Sequence, residues 1–340
     1  MGSQRKQLTD NMKKISYLLL GIAGITLASC SNEEKPQAPV EEANYTVTVQ
    51  LPENYLTRAA TSFGTGYEAN QLYFAVYDAS TGAYVENGQT TFNPTLLSAK
   101  VGFYFAKGKS YKIAFFAQSE ASNTEGVYTF NYAGKVIDID YSKMNSVSNL
   151  NDAYDCFYGL LVTGEIGTSN VQVSKELNRP VAQVNWGTSD LGYNATSHDE
   201  AYGNEGQYIV SNLSATAYKQ FDFFTSDVVE TSKATVNINS FAAPYKLTFP
   251  VTMTDPAQEY VYVDMVYLFA PQGAGMANLD LTITNAGNTD VETISSVVPV
   301  SNAPIQANFM TNIYGALLTD NVDITVTKVP GWSGSEGIPY

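Results

Sequence analysis

Cys30 is the residue best placed for covalent chemistry, because of the residues that precede it. The pair Lys13-Lys14 precedes an apolar run from Ile15 to Leu27, and Ala28-Ser29 then leads to Cys30. A basic region, an apolar region and small residues in this order are typical of a secretory signal peptide. The apolar run is about 13 residues long, too short to cross a bilayer core of roughly 30 Å. The sequence therefore predicts a leader over residues 1–29.

The motif Leu27-Ala28-Ser29-Cys30 resembles the bacterial lipobox, in which the cysteine thiol is acylated and becomes the new N-terminus. The alternative is an ordinary signal peptide with an accidental cysteine. The chain has only two cysteines, so the chance placement of one at this point is the weaker interpretation. We expect a lipid on Cys30, translation from Met12 and a lipidated linker over residues 30–43.

The short acidic stretch Ser31-Asn32-Glu33-Glu34 follows the predicted lipid site. It resembles the export signal by which lipoproteins of the Bacteroidetes reach the outer face of the outer membrane. A solvated linker is the alternative, because Pro36 and Pro39 make the next residues a spacer in any case. We expect a lipid-anchored protein of the outer membrane, exposed at the cell surface.

Composition restricts the partners of the exported chain. Loss of the leader removes four of 18 basic residues and one of 33 acidic residues, which leaves 14 against 32 and a net charge of −18. A surface of this sign repels the phosphates of nucleic acid, so no nucleic acid partner is expected.

The 24 tyrosines and the small charged fraction, 15%, favour half-buried β-strands. About 300 residues exceed one ordinary core, so two domains are expected.

Few side chains suit catalysis. Cys156 lies between Tyr154 and Phe157, where a small buried apolar residue is a better interpretation than a nucleophile. His198 is the only histidine and falls in a polar stretch that reads as a loop. One histidine excludes a histidine-rich metal site, and we expect no enzyme activity, no catalytic residue, no metal site and no cofactor.

Carboxylates and tyrosines allow weaker alternatives. The pairs Asp138/Asp140 and Asp152/Asp155 could serve a glycosidase, but solvated charge is the preferred interpretation. Asp199, Glu200 and Glu205 could bind a structural calcium ion, although the twelve-residue calcium loop is absent. A set of tyrosines could form a platform that stacks on sugars, namely Tyr260, Tyr262 and Tyr267. Cross-strand pairing that supports the sheet is the preferred interpretation.

Alternating residues predict an all-β fold. Tyr45, Val47, Val49 and Leu51 share one face of the first strand, because side chains alternate along a strand. Short strands then recur between turn signals, with hairpin turns predicted at Asn87-Gly88 and Lys107-Gly108. One stretch, Ser142–Asp155, is expected to hold a short helix or a crossover loop. Two tandem antiparallel β-sandwiches are predicted, over residues 44–177 and 178–329, with a flexible tail over 330–340.

Several motifs in order resemble the fimbrillin-like proteins of the Bacteroidales, which include pilin subunits and related surface lipoproteins. Besides the lipobox and its acidic sequel, they are Asn151-Asp152-Ala153-Tyr154, Leu177 to Val184, Thr216 to Phe221 and Asn308 to Thr319. The family commonly has an arginine or similar residue where Met310 stands. The resemblance spans nearly the whole chain and implies two transthyretin-like sandwiches.

The resemblance also implies assembly by strand exchange, in which a protease cuts after an arginine that follows the first strand. Arg58-Ala59 would be that site here, and Tyr45, Val47, Val49 and Leu51 would form the displaceable strand. The strand that fills the groove could come from the end of another subunit, with Val322, Ile324 and Val326 facing inward. The implied partners are other fimbrial subunits, the outer membrane and an arginine-specific protease. A glycan-binding surface lipoprotein beside a nutrient importer is the alternative function.

Overall fold

The computed structural model describes residues 42–52, 68–144, 152–188, 208–238, 261–285, 295–315, 317 and 324–329. These residues form nineteen strands and one short α-helix, α1, over Glu120–Glu125. The all-β class predicted from the sequence is therefore confirmed. Among the described residues, no helix has the length and apolar character that a membrane span requires.

The strands follow one another closely along the chain. In order they are β1 Glu42–Gln50, β2 Gln71–Asp78, β3 Tyr84–Thr91, β4 Ser98–Ala106, β5 Tyr111–Gln118, β6 Tyr128–Asn131, β7 Val136–Ile139, β8 Phe157–Val162, β9 Val171–Glu176, β10 Val181–Thr188, β11 Tyr208–Tyr218, β12 Gln220–Asp222, β13 Asp227–Val228, β14 Lys233–Ile238, β15 Val261–Phe269, β16 Gly275–Asn285, β17 Ser295–Ile305, β18 Met310–Gly315 and β19 Ile324–Val329. Three turns of 3-10 helix cover Tyr141–Lys143, Asp152–Tyr154 and Glu230–Ser232.

The strands assemble into four sheets. One has the order β4-β1-β9, a second β3-β2-β5-β8 and a third β13-β12-β7-β6. The fourth has eight strands in the order β17-β16-β11-β15-β10-β18-β19, with β14 paired to β11. Strands β7 and β12 pair with each other, so the third sheet joins residues on both sides of the predicted boundary near 177.

Two strands occupy equivalent places in the topology. β1 is antiparallel to β4 and parallel to β9, while β10 is antiparallel to β15 and parallel to β18. Each therefore lies between an antiparallel and a parallel neighbour, although the sequence predicted purely antiparallel sheets. A parallel pair needs a long crossover, and many residues separate the paired strands here.

Turn chemistry explains where two of the hairpin turns form. Asp78 accepts hydrogen bonds from the backbone N–H of Ser80 and Thr81, and Gly82 has a φ of +67° that favours glycine. The predicted turn at Lys107-Gly108 is confirmed, with a φ of +74° at Gly108.

The hairpin predicted at Asn87-Gly88 is wrong, because both residues lie inside β3. Gly88 is required there for a different reason. A Cβ at this position would lie 2.4 Å from Cζ of Phe74, whose ring covers the glycine. Glycine thus marks a close side-chain approach within a strand instead of a turn.

The expected helix or crossover within Ser142–Asp155 corresponds to two turns of 3-10 helix at its ends. The first turn is capped by Asp140, whose carboxylate accepts from the Ser142 N–H at 3.1 Å. Residues 145–151 between the two turns lie outside the described part of the chain.

Candidate functional site

The β1 strand is held on both sides by backbone pairing. Nine residue pairs join it to β4, from Glu42 opposite Ala106 to Gln50 opposite Ser98. Six residue pairs join it to β9, from Tyr45 opposite Val171 to Gln50 opposite Glu176. The strand that the sequence marks as displaceable is thus the middle strand of its sheet.

One face of β1 is fully buried. Val47 and Val49 have no exposed surface, and Tyr45 and Leu51 are at most 6% exposed. They share this face because residues two apart along a strand point the same way. Their burial confirms the alternation read from the sequence, whereas the exchange of the strand stays a prediction.

The buried face of β1 packs on aromatic side chains of β4. The Tyr45 ring lies 5.6 Å from the ring of Phe105, which stacks on Phe103 at 5.2 Å. Burial raises the pKa of Tyr45 above its usual value. On the other side, Val171 and Val173 of β9 are half-buried against the same core. The site that β1 occupies, which we call the β1 groove, is therefore lined by apolar side chains and bordered by β4 and β9.

The predicted donor segment is an edge strand in this structure. Among the described strands, β19 pairs with β18 alone, over six residues from Ile324 opposite Gly315 to Val329 opposite Met310. Ile324 and Val326 are partly buried and pack on the core, while Thr325 is exposed. Burial alternates as predicted over residues 324–326, whereas Thr327 and Lys328 are also partly buried.

Several predicted site residues lie outside the described part of the chain. These are the lipidation residue Cys30, the processing pair Arg58 and Ala59, the donor residue Val322, the histidine His198, the candidate calcium ligands Asp199, Glu200 and Glu205, and Tyr260 of the tyrosine set. Within the described residues, no group of three or more acidic, histidine or cysteine side chains could hold a metal ion.

The interpretation of Asp155 as solvated charge is wrong. Asp155 and Arg179 have no exposed side-chain surface and form an ion pair. The guanidinium donates from Nε to both carboxylate oxygens, at 2.7 and 2.8 Å, and from Nη2 at 2.5 Å. Burial raises the pKa of Asp155 to about 6, and Arg179 opposes this rise. A buried carboxylate is tolerated here because it is paired.

The neighbours of this ion pair are also buried. Burial raises the pKa of the Cys156 thiol well above its usual value, which keeps the thiol protonated and inert. The prediction that Cys156 is a buried apolar residue is confirmed. Tyr267 is 1% exposed and donates to Asp152 at 2.9 Å, so it supports the interior and offers no sugar platform.

An open cleft of about 470 Å³ lies between strands β3 and β6, and the sequence did not reveal it. Tyr73 and Gln89 are paired across β2 and β3, and Tyr73 pairs with Phe116 of β5, so these side chains share one face. Gln118, two residues after Phe116, lies on that face as well. Tyr132 lines the opposite wall.

No curated protein matches this sequence. Matching solved structures include candidate cell adhesion proteins of Parabacteroides distasonis and Bacteroides eggerthii. The first has 11% identity and a TM-score of 0.46, covering 86% of this chain and 98% of that one. The second has 13% identity and a TM-score of 0.46, covering 87% and 98%. The tip fimbrial protein Mfa3 of Porphyromonas gingivalis matches with 11% identity and a TM-score of 0.43, covering 85% and 99%.

A family model, described as a family of unknown function, DUF6562, matches residues 36–337, so the chain belongs to that family.

Proposed function

We propose that this chain is a non-enzymatic cell-surface protein, a fimbrial subunit or fimbrillin-like adhesion protein, that assembles by exchange of β1. The observation that carries the proposal is the position of β1 in the middle of the β4-β1-β9 sheet. Loss of an edge strand leaves one unpaired edge, whereas loss of a middle strand leaves two edges that face each other across a groove.

The groove would be a strong template for another strand. Its two edges would present the backbone groups that now pair with nine residues of β1 on one side and six on the other. Its floor would be apolar, because Tyr45, Val47 and Val49 leave behind the surfaces they now bury. Unpaired backbone groups beside apolar pockets are what β-strand addition uses for affinity and specificity.

Cleavage after Arg58 is the proposed trigger. Residues 51–70 join β1 to β2, so a cut at Arg58 would leave β1 attached to the rest of the protein by noncovalent contacts alone. Arg58 and Arg179 are the two arginines that follow the leader. Arg179 has no exposed surface, so an arginine-specific protease acting on the folded protein would be directed to Arg58.

The proposed donor is the last strand, with Val322, Ile324 and Val326 facing the groove. In the part of the chain that the structure describes, β19 has a neighbour on one side only, and six residue pairs with β18 hold it. Its alternation of apolar and polar residues matches that of β1, so it can present an apolar face to the same floor.

Delivery to the surface is part of the same proposal. A lipid on Cys30 would tether the chain to the outer membrane, and the two transthyretin-like domains over 44–177 and 178–329 would follow the linker. A Cys30→Ala variant should then be released from the membrane fraction. Retention of this variant in the membrane would remove the lipid anchor from the proposal.

The strand exchange is tested with purified protein beginning at residue 30. Treatment with an arginine-specific protease should cut after Arg58, and a synthetic peptide of residues 321–329 should then displace the fragment that carries β1. Mass spectrometry identifies the cut, and size-exclusion chromatography follows loss of the fragment and growth of multimers that resist dodecyl sulfate.

An Arg58→Gln variant is the matched control and should stay intact and monomeric under the same treatment. Cleavage at Arg179 would reveal unfolded protein, because that residue is buried in the folded chain. If Arg58 resists the protease in folded protein, or if the cut protein neither releases β1 nor takes up the peptide, the exchange proposal is wrong.

A further inference from the structure

We propose that the cleft between β3 and β6 binds a neutral carbohydrate. Its volume of about 470 Å³ lies within the ~300–1,000 Å³ that ligand sites occupy. Residues of β2, β3 and β5 form one wall, and β6 with the end of α1 forms the other. This cleft is separate from the β1 groove between β4 and β9, and the proposal does not depend on strand exchange.

The cleft is uncharged, although the chain carries a net charge of −15. Its polar lining consists of amides and hydroxyls, while aromatic rings supply the apolar surface. The side chains used in this argument are Tyr73, Asn87, Gln89, Gln118, Asn123 and Tyr132. Amides donate and accept together, which matches pairs of sugar hydroxyls, and a ring face matches the C–H face of a pyranose. An ionic ligand would find no counter-charge among these residues.

The side-chain oxygen of Gln118 is the atom that indicates a ligand. Its side chain is 2% exposed, and its Nε2 donates weakly to Asn123 Oδ1 at 3.4 Å. Its Oε1 is buried without a hydrogen-bond partner among the described residues. A buried carbonyl oxygen is normally paired, and an unpaired one calls for an explanation such as a ligand. Gln118 lines the cleft, so we assign this oxygen as an acceptor for a hydroxyl of the ligand.

The walls are already fixed without a ligand. Tyr128 donates to the backbone oxygen of Tyr154 at 2.6 Å, and the ring of Phe130 stacks on Phe116 at 5.9 Å. The Tyr132 ring stacks on Tyr84 at 5.3 Å, which holds the outer rim of the cleft. Preformed walls reduce the ordering cost of binding, so a weakly interacting ligand such as a sugar can be held.

The competing occupant is an extended peptide, because β3 and β6 are both edge strands among the described strands of their sheets. A peptide would gain its affinity from backbone pairing at those edges and would need no amide side chains. The carbohydrate is favoured because Gln89 and Gln118 converge on the cleft beside Tyr73. Substitution of the amides therefore separates the two occupants.

The test uses saturation-transfer NMR with full-length mature protein and soluble neutral oligosaccharides of glucose, mannose, galactose and xylose, with oligogalacturonate as an acidic comparator. At least one neutral oligosaccharide should bind, and oligogalacturonate should not. Gln118→Ala and Gln89→Ala should each weaken that binding by about tenfold or more. The exposed Gln89 keeps the test valid if the buried substitution impairs folding.

Gln172→Ala and Tyr104→Ala are the matched controls. Both side chains are exposed, and they lie on β9 and β4 of the β4-β1-β9 sheet, which does not line the cleft. They should leave binding unchanged. The proposal is overturned if none of the neutral oligosaccharides binds, if binding survives both cleft substitutions, or if an extended peptide binds the cleft and the sugars do not.

Discussion

Arg179 and Asp155 form a bidentate ion pair in which neither side chain reaches solvent. The guanidinium carbon also lies 4.7 Å from the centre of the Phe157 ring, so the cation is enclosed on a second side. Asp155 directly follows the Asn151–Tyr154 motif, before β8, and Arg179 lies within the Leu177–Val184 motif, before β10. The pair therefore fixes the entry to β10, the strand whose eight residues are all buried.

Arg179→Met should lower the free energy of unfolding by about 3–5 kcal/mol, because it leaves the Asp155 carboxyl buried without its partner. Arg179→Met combined with Asp155→Leu should recover much of this loss. Urea denaturation measures both. Lys143→Met is the control, since Lys143 and Asp140 are 3.9 Å apart and both half exposed, and it should cost about 0–1 kcal/mol. Equal losses for Arg179→Met and the control would contradict the role of the pair.

Asp78 should make stability depend on pH. Hydrogen bonds from the Ser80 hydroxyl and the Thr81 N–H lower the pKa of Asp78 from 3.8 to about 2. Because the folded pKa is below the unfolded one, this stabilisation is complete above pH 4 and is lost as the pH falls towards 2. Asp78→Asn should be less stable than the wild type at pH 7, and the deficit should shrink below pH 4. Denaturation midpoints from pH 7 to 2 test this, and a constant deficit would contradict it.

The sequence predicts the local pattern of the fold well and its long-range contacts poorly. The alternation of Tyr45, Val47 and Val49 identifies β1 and its buried face. Strand β3 escapes prediction because Tyr84–Thr91 is a polar edge strand with little alternation, and Gly88 resembles a turn residue. β18 escapes because Met310–Gly315 mixes polar and apolar residues that are nearly all buried. In both cases the neighbours in the sheet decide the conformation, not the local pattern.

The cleft and the ion pair could not be predicted for a related reason. Asp155 and Arg179 are separated by 24 positions, and Tyr73 and Gln118 stand on different strands that only the β2–β5 pairing brings together. A carboxylate in an acidic sequence is usually solvated, so the burial of Asp155 depends on a partner that composition does not identify. Such juxtapositions follow from topology, which alternation does not specify.

Gly88→Ala should destabilise the protein although alanine is usually tolerated in a strand. The new methyl group would meet Cζ of Phe74 at 2.4 Å, and that ring is held edge-on against Phe103 at 5.3 Å. We expect a loss of about 1–3 kcal/mol from overpacking, measured by thermal denaturation. Phe74→Leu should relieve the clash. Gly102→Ala in β4 is the control, because its Cβ would contact nothing within 4 Å, and it should not destabilise. A loss of stability as large in Gly102→Ala would exclude the close approach as the cause.

Val47→Ala should weaken the packing of β1 against the rest of the protein. Val47 is fully buried in the middle of β1, so removal of two methyl groups should cost about 1–3 kcal/mol of unfolding free energy. Val85→Ala in β3, where the side chain is 48% exposed, should change stability by less than about 0.5 kcal/mol.

After cleavage at Arg58, the two variants should also differ in the rate at which β1 is displaced. The Val47→Ala strand should be displaced faster by the peptide of residues 321–329, because fewer buried contacts oppose its departure, whereas Val85→Ala should leave the rate unchanged. Equal displacement rates in the two variants would mean that burial of β1 does not limit its exchange.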